Sequence, residues 1–158
     1  MDHHAQAASQ SDALTLFRKF AASVRRDQRL SGADVHTLTL TSQLESQDSV
    51  TLDARIEQGV VIELGYRVRA CSLAQAVTGI LALHVPGITA ASLQTAQQEL
   101  ELVLQDQPPD EATMIWPELL VLQDAAGMPD RHEVALLPLC ALQQLFALEE
   151  DPKNLKHQ

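Results

Sequence analysis

Three short alternating stretches flanked by segments of helical periodicity predict an α+β sandwich: a three-stranded antiparallel sheet packed against several helices. Two observations carry this. Val35–Thr41 (VHTLTLT), Val50–Ile56 and Val60–Arg69 alternate apolar with polar residues, the period of strands with one buried face. Their links are short and turn-like, so they read as a meander that leaves its other face wet.

Residues 1–10 are expected to be a disordered terminus and 151–158 a tail, leaving 11–150 as a single domain. Ser11 or Asp12 can cap a first helix to about Arg26, with Leu14, Phe17, Ala21 and Val24 inward. The basic residues Arg18, Lys19, Arg25, Arg26 and Arg29 concentrate here and read as a solvated face. Ser31–Asp34 is a turn into the first strand. Glu57-Gln58-Gly59 closes a hairpin between the second and third. In the third strand Val60, Ile62, Leu64, Tyr66 and Val68 share one side.

At Ala70 the period changes, and Leu73, Ala76, Val77, Ile80 and Leu81 mark a helix face. Ser72 and Gln75 have the spacing of a capping box. Thr89 can cap the next helix, which buries Leu93, Ala96, Leu100 and Val103. Pro117 suits the start of a short helix that stops at Gly127-Met128-Pro129. Asp130 can cap a last helix to about Glu149, with a kink or open turn expected near Val134 because Pro138 lies inside it.

Composition narrows the function. A net charge of −10 and only five aromatic residues argue against nucleic acid, which selects basic surfaces and stacking side chains. No apolar run reaches the length of a membrane span, and the first ten residues lack a signal peptide's apolar centre. The two cysteines, Cys71 and Cys140, form no CxxC pair. The expectation is a cytoplasmic protein without membrane or nucleic-acid partners.

Cys71 stands in the strand-to-helix joint. A thiol there feels unpaired N–H groups and the positive helix end, and both favour thiolate, the form that binds metal or attacks electrophiles. The competing reading is a small buried hydrophobe.

These segments resemble the IscU/NifU N-terminal/SufU-like iron–sulfur cluster assembly scaffolds, over roughly Leu14 to Leu148. Leu16–Phe20 followed by Arg25…Gly32 resembles that family's opening helix. Asp48–Leu52 and Ile56–Val61 resemble the strand and hairpin after its first cysteine motif, C-G-D. Arg69–Ala76 resembles the second motif, G-C-x-x-x-x-A, and Arg131–Leu139 the third, R-x-K-C-A-x-L-x-W. The resemblance implies an IscU/SufE-like sandwich with three cysteines and an aspartate converging at one end of the sheet, to hold an iron–sulfur cluster or zinc.

Carried over by position, Cys71 matches the second cysteine and Asp48 the aspartate, which makes these two the implied metal- or cofactor-binding residues. Ser46 and Val134 occupy the lost first and third ligand positions. Gln47 replaces the glycine, and Glu133 a basic or histidine neighbour. Cys140 falls nearly two turns past Val134, roughly 9 Å along a helix.

The resemblance therefore implies a scaffold-like protein that binds iron or zinc, or accepts sulfur, through Cys71 together with a cysteine desulfurase or another assembly protein. The alternative is a metal-free pseudo-scaffold acting as a protein-binding or regulatory module. A homodimer is compatible with either. An enzyme is not expected; a thiol enzyme would need Cys71 as nucleophile and His36, His84 or His132 as base.

Overall fold

The computed structural model describes residues 2–44 and 47–150, with side chains from Asp12 onward. Ser46 and the tail 151–158 lie outside the described residues. The chain runs α1 (Asp2–Ser23), β1 (Val35–Thr41), β2 (Ser49–Glu57), β3 (Val60–Arg69), α2 (Ser72–Leu83), β4 (Ile88–Thr89), α3 (Ala90–Leu104) and α4 (His132–Glu150). Between α3 and α4 lie 3-10 segments at Glu111–Thr113, Pro117–Gly127 and Pro129–Arg131.

The sheet is antiparallel in the order β1-β2-β3-β4. The α+β sandwich stands as read, with one strand more than expected. Two residues, Ile88 and Thr89, pair with Val61 and Val60 and form the fourth strand, too short to show an alternation. Thr89 also caps α3 by a reciprocal capping box with Ser92, as its position in the sequence suggested.

Register follows from burial. Val50, Leu52 and Ala54 of β2 face Val68, Tyr66 and Leu64 of β3, and all six are buried beneath α2 and α4. A slip of one residue would turn this set to solvent. The expected β3 face fails at one place. Arg55 pairs with Glu63 but Ile56 pairs with Val61, so a bulge at Ile62 reverses the alternation. Val61 is therefore fully buried, while Val60 and Ile62 are only partly so.

Leu52, Ile80, Leu81, Leu93, Leu100, Leu142 and Leu145 form the centre of the core. α4 runs from His132 to Glu150 as one helix with Pro138 inside it, so the kink or open turn expected near Val134 does not end the helix. It starts at His132, because Asp130 is taken up in a preceding 3-10 turn and does not cap it. α1 begins at Asp2 rather than Ser11 and ends at Ser23, before Arg25 and Arg26, which are exposed.

The other face of the sheet is not simply wet. Gln28 forms an antiparallel bridge with Tyr66, and the backbone of residues 28–30 passes over Gly65. A Cβ on Gly65 would stand 2.7 Å from the Gln28 carbonyl oxygen and 2.8 Å from the Leu30 nitrogen. Only glycine admits so close a crossing. Beneath it the Asp53 carboxylate, fully buried, accepts two hydrogen bonds from Arg29 at 2.8 and 3.0 Å. It also accepts the Leu30 N–H at 3.0 Å and the Thr37 hydroxyl at 2.6 Å. Among the described residues no helix is long and apolar enough to cross a membrane.

Candidate functional site

Three segments far apart in sequence meet at one end of the sheet. The loop from β1 to β2 closes where the Ser42 N–H donates to the Asp48 carbonyl at 2.9 Å. Ser49 pairs with Arg69, so Asp48 and Cys71 leave their strands at the same end. The start of α4 joins them through Glu133, which hydrogen-bonds that loop. Arg131, just before α4, lines a groove with Cys71.

Cys71 is the N-cap of α2, in extended conformation with φ −65° and ψ 171°. The chain stays extended through Cys71 and turns only after it, which places Ser72 within the first turn. The expected Ser72–Gln75 capping box is absent. Instead the Gln75 N–H donates to the Cys71 carbonyl at 3.1 Å and its side-chain amide to the Ala70 carbonyl at 3.1 Å. No side-chain hydrogen bond caps the helix.

The Cys71 side chain is partly exposed and lines a mainly apolar groove of about 370 Å³. The groove is lined by Leu14 and Phe17 of α1, by Val121 of the Pro117–Gly127 segment and by Met128 just after it. The thiol is thus neither sealed in the core nor free on an open surface.

The positions lost from the resemblance have different fates. Val134 is completely buried in the core cluster, where it offers packing and no donor. Glu133 points to the β1–β2 loop. Its carboxylate takes the Ser42 hydroxyl in a short hydrogen bond, the Gln43 N–H at 2.7 Å and, more weakly, the Leu44 N–H at 3.5 Å. The Ser42 bond, helped by those backbone N–H groups and opposed by burial, holds the Glu133 carboxyl below the usual range. Asp48, partly buried, is at the other end of the same loop, where its carbonyl accepts the Ser42 N–H. The sequence could show that Glu133 replaces a basic residue; it could not show what the carboxylate binds.

Cys140 is not among the residues that line the Cys71 groove. It is half-buried on α4, and burial together with the carboxylates of Glu101 and Glu133 pushes its thiol up. The three histidines weighed as bases, His36, His84 and His132, have other partners. His36 meets Glu149 at 2.6 Å, and His84 meets Glu118 at 3.0 Å while stacking on Trp116. His132 meets the Ala125 carbonyl at 3.1 Å.

A structural zinc site takes about four donors, and iron–sulfur clusters are held chiefly by thiolates. Of the positions that the resemblance implies, the described ones leave one thiol and one carboxylate. Val134 supplies nothing, the Glu133 carboxylate is committed to the loop, and among the described residues no three His, Cys, Asp or Glu side chains gather as a ligand set. The described residues do not fit a self-contained metal or cluster site.

No protein-family model and no curated protein matches the sequence. Solved structures do match the fold. A nitrogen-fixing NifU-like protein (N-terminal part) from Brucella abortus superposes with a TM-score of 0.70 at 23% identity, covering 90% of this chain and 99% of that one. A SufU protein from Fervidobacterium islandicum, assigned as an iron–sulfur cluster assembly scaffold for the SUF system, gives 0.65 at 18%, covering 82% and 92%. The resemblance read from the three ordered motifs thus holds in three dimensions: this chain has the fold of the NifU-like and SufU-type proteins.

Proposed function

We propose that the chain works in iron–sulfur cluster assembly as a metal-free, scaffold-fold binding module rather than as a scaffold that holds a cluster on its own ligands. The observation that carries this is the fate of the converging positions. Val134 is sealed in the core, which leaves Cys71 and Asp48 as the donors among the described converging positions. Likeness of fold supports the process, and the donor set argues against independent metal binding.

Titration of the purified protein with Zn²⁺ or Fe²⁺, followed by desalting and metal analysis, tests the reading. The expected result is far less than one metal per chain, unchanged in Cys71→Ser. Stoichiometric metal that survives desalting and disappears in Cys71→Ser would refute it.

A second reading is favoured by the partial exposure of the Cys71 thiol in its groove. Cys71 would accept sulfur from a cysteine desulfurase. The Cys71 thiolate attacks the outer sulfur of the donor's persulfide, the donor S–S bond breaks, and the donor cysteine leaves as thiolate. Intact-mass analysis after incubation with desulfurase and free cysteine should then show one added sulfur on the wild type and none on Cys71→Ser.

A further inference from the structure

We infer that Glu133 ties the β1–β2 loop to α4 by hydrogen bonds, the cross-link a metal shared between those segments would otherwise supply, so that this end of the sheet is ordered without metal. The inference stands on the contacts between α4 and the loop, and does not depend on any role in cluster assembly.

Three observations support it. First, the bonded groups lie about ninety residues apart in sequence, so the contact is tertiary and joins two elements. Second, burial of apolar side chains does not hold the described part of the loop: Leu44 is 64% exposed and Gln43 is exposed. Polar bonds must do so. Ser42, only 4% exposed, is at the centre, since its hydroxyl meets Glu133 and its oxygen also accepts the Leu44 N–H at 3.1 Å. Third, Glu133 lies in the first turn of α4, where the helix N-terminus favours negative charge. Hydrogen bonds to an ionised group are the strong class, so one carboxylate on a hydroxyl and backbone N–H groups can fix a loop this small.

Without the Glu133 carboxylate, the Ser42 hydroxyl and the Gln43 N–H would lose the partners they have here. The carboxylate satisfies them directly. Glu133, next to the lost ligand position at Val134, therefore supplies the mechanical tie.

The test is amide hydrogen exchange on the full chain at neutral pH, in wild type, Glu133→Gln, Ser42→Ala and the double variant, each with EDTA or with added zinc. Glu133→Gln is expected to speed exchange at Gln43 and Leu44 by about tenfold or more. The Leu52 amide in β2 should change little. Because the two side chains act as one unit, the double variant should add no more than about twofold to the larger single effect. EDTA and zinc should leave wild-type exchange unchanged. Unaltered loop exchange in Glu133→Gln, strictly multiplicative effects in the double variant, or an equal rise at Leu52 would each overturn the inference. So would a large response of the wild-type loop to EDTA. If Glu133→Gln does not fold, Ser42→Ala carries the same comparison alone.

Discussion

Asp53→Ala is expected to lower the melting temperature by roughly 6–12 °C, the largest effect of any single polar substitution considered. The carboxylate is fully buried and holds Arg29, the Leu30 N–H and the Thr37 hydroxyl at once. Removing it leaves those groups unpaired and frees the 28–30 segment from the sheet. Breaking a buried pair typically costs about 3–5 kcal/mol. Arg29 is 43% exposed and can rehydrate, which favours the lower end. About 3 kcal/mol over a chain of this size gives the stated shift. Differential scanning calorimetry would measure it, and a fall of under about 2 °C would show that the cluster is inessential.

The same carboxylate predicts an acid dependence. Burial by itself would raise the Asp53 carboxyl, but the Arg29 guanidinium, the Thr37 hydroxyl and the Leu30 N–H outweigh it and hold it below the usual value. A depressed carboxylate stabilises the fold fully above its unfolded pKa of about 4, and that contribution is lost as pH falls through the folded value. The gap in melting temperature between wild type and Asp53→Asn should thus stay level from neutral pH down to about pH 5 and close under more acid conditions. A gap that widens with acid would contradict the assignment.

Gly79→Ala should destabilise by about 2 kcal/mol, against the usual rule for a helix interior. Alanine normally gains about 1 kcal/mol there over glycine. At this position a Cβ would stand 2.3 Å from the Phe20 carbonyl oxygen and 2.9 Å from its carbon. Those are backbone atoms of α1 and cannot rotate away, so α1 must move off α2. Overpacking of that kind costs about 1–3 kcal/mol or more and exceeds the propensity gain. Because α1 also walls the Cys71 groove through Leu14 and Phe17, alkylation of Cys71 should speed up in the same variant. A rise in melting temperature with unchanged alkylation would mean that the helices are not in close contact.

Much of the architecture could be read from residue order. The seven residues of β1 and the ten of β3 carry a two-residue period that matches their observed bounds. Thr89, read as a helix cap, does cap α3, and the structure adds Ser92 as its reciprocal partner. The misreadings are equally specific. Ser72 and Gln75 have capping-box spacing, yet the chain does not turn until after Cys71. Ile62 sits in perfect alternation until a bulge, set by pairing with β2, turns Val61 inward. Asp53 alternates outward with Thr51 and Arg55 as a solvent residue would, and is buried only because residues 28–30 cross above it.

The candidate site divides in the same way. That Cys71 keeps its place at the strand–helix joint, that Asp48 precedes β2, and that Val134 brings no donor are matters of residue identity, settled by sequence alone. That Val134 is sealed in the core, that Cys71 opens on an apolar groove, and that Glu133 binds the β1–β2 loop could be decided only by the tertiary structure. Local periodicity reports which face a residue takes on its own element. It does not report which distant segment will lie against that face, and at this end of the sheet that neighbour decides what each side chain can do.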